Sequence, residues 1–563
     1  MLLLALLSFL SSAIAAAVGR RECANGPTTR HCWGQYDINT NFYDVVPDTG
    51  VTREFWLSAQ NLTLAPDGYE REVLAFNGQI PGPLIEADWG DTIVVHVTNE
   101  LENNGTSIHW HGIRQLNNNE NDGVPGVTQC PIPPGETYTY TWRATQYGHS
   151  WYHSHFSLQY GNGLFGPILI HGPSSANWDV DLGVLPLQDW AHESVFTLWA
   201  GITQYGAPPP LPNGLINGTN TFDCRGSSDP ACLGTGKRYE NSFVQGKKYL
   251  IRLVNTAVDG YFRFSIDNHK LTVAATDLVP IQPYETDNVL LGSGQRYDII
   301  VEADQPIGNY WLRATYQTAC RNNSNANNIL GIIRYEGSDP VAVPTTHMKD
   351  FPEECQDEPL DKLVPYMALN AGQGVEKSLD LSNNKIDNIF HWTMNGSAFY
   401  IDWSEPALLM LESNDTVYPA DYGVYELDAA NEWIYWIIRD ESTFATSHPI
   451  HLHGHDFNIL AQGEGELDLT TITLNTDNPP RRDVATLPGG GYLVIAFQTD
   501  NPGFWLMHCH IAWHSSQGFA VQFAERRSEI LATVSDQSAI QEQCDLWDGY
   551  FDTEPYEQDD AGV

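Results

Sequence analysis

Short runs of apolar and β-branched residues, separated by turn-forming residues, recur along the whole chain. Residues 137–142, 297–301 and 492–497 are rich in aromatic and β-branched side chains, which favour strands. The 47 glycines and 33 prolines punctuate such runs as turns do. This pattern of short strands and frequent turns predicts an all-β protein built of Greek-key sandwiches.

Two segments from the first part of the chain recur near its end. Ile-His-Trp-His-Gly at 108–112 returns as Ile-His-Leu-His-Gly at 450–454. His-Ser-His at 153–155 returns as His-Cys-His at 508–510. Such internal repeats indicate that a first and a last domain share one fold.

A domain of the same kind is expected between these two. Residues 249–255 resemble residues 92–99, although no paired histidines follow them. We place one boundary near residue 173 and the other within the polar, proline-bearing stretch from about 338 to 385. The predicted domains span residues 22–173, 174–345 and 346–563.

Most of the 19 histidines lie in four clusters, at 109–112, 151–155, 448–455 and 508–514. A single His-x-His is also typical of a half-buried strand without metal, but four such clusters, one with a cysteine, indicate metal binding. Side chains alternate in direction along a strand, so in 508–510 the histidines face one side and the cysteine the other. One strand can therefore contact two metal sites, and a cysteine with two histidines is the ligand set of a blue-copper centre.

With these motifs in this order, the chain resembles the multicopper oxidases and, among them, the fungal laccases of ascomycete type. The resemblance extends from about Cys23 to the C-terminus. It implies three cupredoxin-like Greek-key β-sandwich domains that bind four copper ions: one type 1, one type 2 and a type 3 pair. The first and third domains would pack together, because the ligands of the three-copper cluster come from both.

The resemblance also implies the role of each metal ligand. The type 1 copper would bind His448, Cys509 and His514. The type 2 copper would bind His109 and His451. The type 3 ions would bind His111, His153 and His510 on one side and His155, His453 and His508 on the other.

Three further residues match family positions near these sites. Phe519, five residues after His514, stands where relatives carry Met, Leu or Phe. Its ring cannot coordinate copper, which raises the type 1 potential; simple core packing is the alternative. Asp259 matches the acidic residue beside the substrate's phenolic hydroxyl, where it accepts a proton, and Asp122 matches an acidic proton donor near the type 2 copper. Each aspartate precedes a glycine, so a turn is the alternative for both.

The C-terminus and two other histidines carry further expectations. Residues 559–563 resemble the tail that ascomycete laccases insert into the channel to the type 3 pair, with Ala561 and Val563 in place of Ser and Leu. A frayed acidic end is the alternative. His149 and His455 lie inside the motifs but match no ligand position. We expect them either to hydrogen-bond a ligand or to be ordinary loop histidines.

The charge of the chain excludes some partners. The 563 residues carry 70 acidic and 28 basic side chains, a net charge of -42. Such a surface repels nucleic acids and anionic membranes, and the pI of about 4.5 suits export into an acidic medium. We expect a monomer whose partners are small molecules, namely phenols and dioxygen.

The N-terminus indicates export. Residues 1–17 form an apolar run that ends in small residues, as a secretory signal does; a membrane anchor is the alternative, although the run is short for one. Arg20 and Arg21 are either a processing site or ordinary surface residues, and we assign residues 1–21 to a signal and short propeptide. Six Asn-x-Ser/Thr sequons predict glycosylation, at Asn61, Asn104, Asn217, Asn322, Asn395 and Asn414.

The cysteines agree with export. Eight remain once Cys509 is assigned to copper, and an even number in an exported chain indicates disulfides. Eight cysteines allow 105 pairings. Proximity favours Cys23 with Cys32, Cys224 with Cys232 and Cys320 with Cys355, which leaves Cys130 for Cys544. The last pair also resembles a bond of the ascomycete group.

Together with these features, the resemblance implies a secreted laccase, a benzenediol:oxygen oxidoreductase. A thiolate site suits one-electron transfer, and eight imidazoles can hold a cluster that reduces dioxygen with four electrons. Cys509 is joined through the backbone to His508 and His510, which gives a covalent electron path between the sites. The alternatives are a phenol-coupling oxidase of pigment or secondary-metabolite synthesis, a ferroxidase and a copper-storage protein; storage needs no such path.

Overall fold

The computed structural model describes residues 23–205, 207–386, 389–412, 417–553 and 558–563. The predicted signal peptide and processing site at 1–21 and the sequon at Asn414 lie outside these ranges. Within them strands dominate and helices are few, which confirms the all-β prediction. Each third of the chain forms two main sheets.

Among its described residues, the first third contains ten strands and two short 3₁₀ helices. The strands are β1 (Cys32–Trp33), β2 (Tyr36–Asp37), β3 (Thr52–Leu64), β4 (Arg71–Phe76), β5 (Ile85–Asp88), β6 (Thr92–Glu100), β7 (Ile108–Trp110), β8 (Thr137–Arg143), β9 (Gly148–Ser154) and β10 (Phe165–His171), and the 3₁₀ helices are Asn119–Asn121 and Gln159–Asn162. Two sheets have the orders β4-β3-β6-β8 and β5-β10-β9-β7, and β1 pairs with β2. Val95, Tyr140 and Ile168 belong to one core that both sheets share.

The middle third contains eleven strands and one helix. They are β11 (Val180–Trp190), α1 (Val195–Tyr205), β12 (Asn213–Ile216), β13 (Tyr239–Phe243), β14 (Lys248–Asn255), β15 (Phe262–Ile266), β16 (Leu271–Thr276), β17 (Val279–Thr286), β18 (Val289–Leu291), β19 (Arg296–Glu302), β20 (Asn309–Tyr316) and β21 (Leu330–Tyr335). The sheet orders are β12-β11-β14-β19-β16-β17 and β13-β21-β20-β15-β18. Ile251, Phe264 and Leu312 lie in the core between them.

The last third repeats this arrangement and adds three helices. Its elements are β22 (Gly374–Ile386), β23 (Ile389–Met394), 3₁₀ helices Leu409–Glu412 and Ala420–Tyr422, β24 (Val424–Leu427), β25 (Trp433–Asp440), β26 (His448–Leu452), β27 (Phe457–Glu464), β28 (Arg481–Arg482), β29 (Val484–Leu487), β30 (Gly491–Gln498), β31 (Gly503–Cys509), α2 (Ala512–Ser516), β32 (Ala520–Glu525), α3 (Arg527–Thr533) and α4 (Gln537–Phe551). The sheets are β23-β22-β25-β30-β27-β28 and β24-β32-β31-β26-β29. Ile438, Ile450 and Phe523 lie in their shared core.

The apolar runs lie in strands, and the two copies of each repeated segment lie in corresponding strands of the first and last thirds. Residues 137–142 lie in β8, where buried and exposed side chains alternate. The repeated histidine segments lie in β7 and β26, and their partners lie in β9 and β31. β7 pairs with β9 as β26 pairs with β31, so the sequence repeat is also a structural repeat.

The connections between the thirds are free of strands. β10 ends at His171 and β11 begins at Val180, while β21 ends at Tyr335 and β22 begins at Gly374. The predicted divisions after residues 173 and 345 fall in these two intervals. The assignment of three separate domains stays a prediction.

The structure contains the three disulfides that proximity favours and the fourth that the remaining two cysteines form. The bonds join Cys23 to Cys32, Cys224 to Cys232, Cys320 to Cys355 and Cys130 to Cys544. The last bond connects the loop before β8 to helix α4, whose first turn is capped by Asp536 accepting from the backbone N–H of Ala539. The end of the chain is thereby fixed to its first third. In the described ranges no helix is long and apolar enough to cross a membrane.

Candidate metal centres

The first candidate metal centre lies where β26, β31 and helix α2 meet. Sγ of Cys509 lies 3.6 Å from Nδ1 of His448 and 3.6 Å from Nδ1 of His514. The two nitrogens are 3.0 Å apart, and all three side chains are buried. One sulfur and two imidazole nitrogens thus point at one position, the trigonal donor set of a blue-copper site.

The chemistry of these side chains fits a copper ion. Of the nine cysteines, all within the described ranges, Cys509 alone forms no disulfide. Burial raises the pKa of its thiol, so a bound cation is needed to stabilise the thiolate. Burial lowers the pKa of His448 to about 3, which keeps its imidazole neutral and able to coordinate a metal.

Two aromatic side chains cover this centre. The ring centroid of Phe519 is 5.1 Å from that of His448. The ring of Trp392 lies 4.8 Å from His448 and 4.7 Å from His514. Phe519 and Trp392 are 2% and 3% exposed, so water is kept from the centre. The axial role of Phe519 stays a prediction.

The second candidate centre gathers eight histidines from β7, β9, β26 and β31 and the residues just after them. Strand pairing sets His109 opposite His153 and His451 opposite His508. His508 groups with the imidazoles, whereas its neighbour Cys509 groups with the first centre. Because successive side chains of a strand face opposite sides, β31 contributes side chains to both centres.

The ring positions are compatible with two groups of three and one pair. Centroids of His111, His153 and His510 lie 5.8, 5.0 and 5.7 Å apart. Those of His155, His453 and His508 lie 5.2, 5.4 and 5.5 Å apart. His109 and His451 lie 5.7 Å apart. Close stacking of His109 on His453, and of His111 on His451, both at 3.8 Å, joins the groups into one cluster.

Buried nitrogen atoms of this cluster lack hydrogen-bond partners among the described residues. Buried polar atoms in proteins are nearly always paired, so a group of unpaired imidazole nitrogens indicates a missing ligand. Burial lowers the pKa of His508 to about 4, which leaves its ring neutral. The unpaired atoms are Nε2 of His109, His153 and His451, Nδ1 of His111 and both ring nitrogens of His155 and His510. This donor set fits copper.

Asp122 orients two of these histidines. Its backbone carbonyl accepts from Nδ1 of His109 at 2.9 Å, and its carboxylate accepts from Nδ1 of His453 at 2.8 Å. The turn interpretation also holds, because Gly123 has a φ of 84° and a Cβ there would lie 1.8 Å from the carbonyl oxygen of Ile108. The turn at Asp122 and Gly123 brings the carboxylate of Asp122 to the histidine cluster.

Sequence reasoning missed a second orienting aspartate, Asp483. Its backbone carbonyl accepts from Nδ1 of His451 at 2.8 Å, and its Oδ1 lies 3.2 Å from Nε2 of His111. Arg296, on β19 of the middle third, forms an ion pair with Asp483, and both side chains are fully buried. The available signal was the charged run 481–483 directly before the apolar strand β29. The middle third thus contributes to the cluster through a side chain that binds no metal.

Asp259 lies beside the first centre, in the connection between β14 and β15. Nε of Arg321 donates to its Oδ1 at 2.7 Å, and Nη2 of the same guanidinium lies 3.1 Å from Nε2 of His514. Burial raises the pKa of Asp259, and Arg321 opposes that rise. Asp189 lies behind it, where it accepts from the backbone N–H of Asp259 at 3.1 Å, and burial raises the pKa of Asp189 to about 7. Sequence reasoning missed Arg321, whose only local mark is the neighbouring disulfide cysteine.

The C-terminal residues are buried beside the histidine cluster. Val563 is 4% exposed and lines a small cavity together with His155 and His508. The backbone N–H of Gly562 donates to Oδ1 of Asp560 at 2.9 Å, and Ser157 donates to Oδ2. The frayed-end alternative is therefore wrong for residues 560–563.

The two unassigned histidines have different environments. Nε2 of His149 donates to the carbonyl of Leu253 at 2.8 Å, and Nδ1 lies 2.8 Å from Asp298, so His149 connects the first third to the middle one. Nε2 of His455 lies 3.0 Å from Glu525, and Nδ1 lies 3.3 Å from the backbone carbonyl of His453. Neither ring contributes to a metal centre.

Comparison with known proteins agrees with this geometry along most of the chain. Three family models, each described as multicopper oxidase, match residues 58–175, 181–338 and 383–529. The chain belongs to the multicopper oxidase family. Copper is therefore the cofactor of this multicopper oxidase, and its folded thirds are of the cupredoxin type.

Relatives of this multicopper oxidase include fungal laccases. Laccase-2 of Botryotinia fuckeliana is 53% identical over 553 residues, 96% of this chain and 94% of that protein. Dihydrogeodin oxidase of Aspergillus terreus is 43% identical, over 96% of each chain. The crystal structure of the laccase from Botrytis aclada superposes with a TM-score of 0.93 at 53% identity and covers 96% of this chain and 100% of that one. These likenesses assign the multicopper oxidase to the laccase type of enzyme.

Proposed function

We propose that the protein is a secreted laccase that oxidises phenolic donors by one electron each and reduces dioxygen to water. It would hold four copper ions. The type 1 ion takes His448, Cys509 and His514, and the type 2 ion takes His109 and His451. The type 3 pair takes His111, His153 and His510 on one ion and His155, His453 and His508 on the other.

Copper supplies a one-electron acceptor at the first centre and a four-electron site for dioxygen at the second. The protein contributes the path between them. Cys509 lies in the first centre, and its chain neighbours His508 and His510 lie in the second. This shared strand is the single observation that carries the proposal, because neither copper storage nor a lone metal site requires it.

The donor side of the reaction rests on Asp259. A phenol loses a proton as it loses an electron, and a carboxylate beside the reacting oxygen lowers the barrier by accepting that proton. Asp259 is connected to His514 through the guanidinium of Arg321. A donor bound here would have its oxygen near both the proton acceptor and the imidazole through which the electron leaves.

The oxygen side rests on Asp122. Its carboxylate holds Nδ1 of His453, which orients the imidazole toward the cluster. The same group would pass protons toward dioxygen as it is reduced. Asp122 therefore acts at the second centre, and Asp259 acts at the first.

Oxygen uptake with a methoxyphenol tests the proposal. Four donor molecules should be consumed for each dioxygen, without release of hydrogen peroxide, and copper analysis should find four ions per chain. Uptake with a different ratio, or a protein that binds copper but consumes no oxygen with any phenol, would contradict the laccase assignment.

A phenol-coupling oxidase with a narrow substrate is the second candidate. It is favoured by the likeness to dihydrogeodin oxidase, and it would share every residue role given above. Turnover across a panel of phenols separates the two, because a coupling enzyme acts on few donors and releases a single product.

A ferroxidase is disfavoured, since the guanidinium of Arg321 lies on Asp259 and would repel ferrous ion. The ratio of ferrous to methoxyphenol turnover measures that preference.

Secretion, N-glycosylation and a monomeric state complete the proposal. The four disulfides support an oxidising compartment. Mass spectrometry of the secreted protein, before and after removal of N-glycans, checks the mature N-terminus and the sequons. Light scattering checks the monomer.

A further inference from the structure

We propose that Arg321 is a catalytic residue that receives the donor's phenolic oxygen as an anion. The inference rests on the proposed oxidation of phenols and adds a group to it. In the laccase assignment drawn from the sequence, Asp259 alone handles the donor's proton. The structure places a cation between that carboxylate and the metal-ligand imidazole.

At this edge of the first centre, two hydrogen-bond donors lie side by side without an acceptor between them. Nδ1 of His514 points at Cys509 and His448, so when Nδ1 binds metal the proton of the neutral ring is on Nε2. Nε2 lies 3.1 Å from Nη2 of Arg321, and Nη2 is also a donor. Two donors cannot hydrogen-bond each other. They can share one acceptor placed between them, and an anionic oxygen is the strongest such acceptor.

The exposure of the side chains favours the same conclusion. The side chain of Arg321 is 24% exposed and that of Asp259 is 5% exposed. An incoming donor therefore meets the guanidinium before it meets the carboxylate. Asp189, the next acid behind them, is buried with a pKa raised to about 7, so it is neutral in acidic medium and does not cancel the positive charge.

The ion pair also changes what Asp259 can do alone. A buried carboxylate that accepts from a guanidinium is a weaker base than the same buried carboxylate without that partner. A positive charge beside the phenolic oxygen compensates, because an opposite charge within about 4–6 Å lowers an acid's pKa by roughly 1–3 units. Arg321 thus makes the phenol a stronger acid, while it limits the rise that burial causes in the pKa of Asp259.

The proposed step is balanced. The O–H bond of the donor breaks, its proton passes to the carboxylate of Asp259 and then to solvent, and the oxygen stays against Nη2 of Arg321. One electron leaves through the imidazole of His514 to the copper ion that the first centre would hold. The oxidised donor is a neutral phenoxyl radical. Its oxygen no longer carries the negative charge that Arg321 binds, so release of the product is favoured.

A chromogenic phenol tests the proposal without turnover. The nitro group of para-nitrophenol makes it a poor electron donor, and only its phenolate form absorbs strongly in the violet. With the copper-loaded enzyme in excess, the bound dye should ionise roughly 1–3 pH units below the free dye. Arg321→Gln should abolish this shift. Arg321→Lys should keep part of it, because lysine retains the charge but loses the planar fork.

Arg334→Gln is the matched control. Nε of Arg334 donates to Glu240 at 2.7 Å, an ion pair of the same length in the same third of the chain, and it lies outside the proposed machinery. This variant should keep the full shift. Every variant should first show the type 1 blue absorption, which reports a folded and loaded centre.

The kinetics give a second readout. In Arg321→Gln the acid limb of the kcat/KM profile for a methoxyphenol should move to higher pH by roughly 1–3 units, while a non-phenolic donor keeps its profile. The proposal is overturned if the wild-type enzyme binds no dye, if the bound dye keeps its solution pKa, or if Arg321→Gln retains the shift. Failure of the wild-type enzyme to consume oxygen with any phenol would instead contradict the proposed function.

Discussion

The carboxylate of Asp122 accepts a hydrogen bond from Nδ1 of His453 at 2.8 Å, across 331 residues of sequence. This contact fixes an imidazole of the last third with a carboxylate of the first. Asp122→Asn keeps the shape and removes the negative charge. We expect re-oxidation of the reduced enzyme by dioxygen to slow by roughly 10- to 100-fold, as measured by stopped flow. Anaerobic reduction by a phenol should be unchanged; an equal loss in both half-reactions would show that Asp122 only maintains the fold.

Cys509→Ser should remove the blue absorption and the oxidase activity. The colour arises from charge transfer between the thiolate and copper, and a hydroxyl cannot supply it. Copper analysis should find one ion per chain fewer than in the wild type, with the eight-histidine cluster still loaded. If the blue band survives this change, the assignment of Cys509 is wrong.

Phe519→Met should lower the potential of the type 1 centre. The Phe519 ring packs 5.1 Å from that of His448, so a thioether in its place can approach the metal, and an added donor favours the oxidised ion. Phe519→Leu is the control, because it removes the ring without adding a donor. A redox titration in which both variants behave alike would mean that Phe519 only packs.

Deleting residues 560–563 should change dioxygen reduction more than phenol oxidation. Val563 lines the cavity beside His155 and His508 of the second centre, whereas Asp259 lies beside the first centre. Oxygen affinity and the rate of anaerobic phenol oxidation are the two measurements. Unchanged oxygen kinetics would leave the tail as a structural element only.

Docking of the same tail should depend on pH. Burial raises the pKa of Asp560 from 3.8 to about 6, so the docked tail favours the neutral carboxyl. The stabilisation is fully present below about pH 4 and is lost as the pH rises through about 6, by roughly 3 kcal/mol at most for a two-unit shift. The protection of residues 558–563 from hydrogen exchange, relative to the intrinsic rate at each pH, should fall across this range, and Asp560→Asn should flatten the response. Faster exchange at low pH would contradict the sign.

Asp259→Asn should impair phenols and spare donors that lose an electron without a proton. For a methoxyphenol, kcat/KM should fall by roughly 10- to 1,000-fold, near the usual contribution of a positioned base, and the pH optimum should rise. The non-phenolic donor controls for copper loading and folding. Equal losses on both donors would identify Asp259 as structural.

The metal-ligand candidates could be predicted because their chemistry forces a local pattern. A strand shows alternate side chains to one face, so ligands for one cluster recur as His-x-His, as at His109 and His111. The disulfides close in sequence followed from short separations. The strand pairing that brings these motifs together also occurs twice. The repeat in the sequence therefore predicted a repeat in the fold.

Arg321, Arg296 and Asp483 could not be found in this way. Each acts through a partner from another element: Arg321 lies 62 residues from Asp259, and Arg296 lies 187 residues from Asp483. A single arginine in a polar loop has no periodicity, and its function exists only in the tertiary structure. The same holds for His149, whose partner Asp298 lies in the middle third.

The division of the second metal centre between distant strands affects how the protein is made. β7 and β9 leave the ribosome early, and β31 follows about 400 residues later. At roughly 5–20 residues per second, the first imidazoles wait tens of seconds for the rest. Copper can then occupy the complete site only after translation has finished and the two ends of the chain have met. A loaded cluster thus requires a finished molecule, and an interrupted or misdocked chain cannot reduce dioxygen.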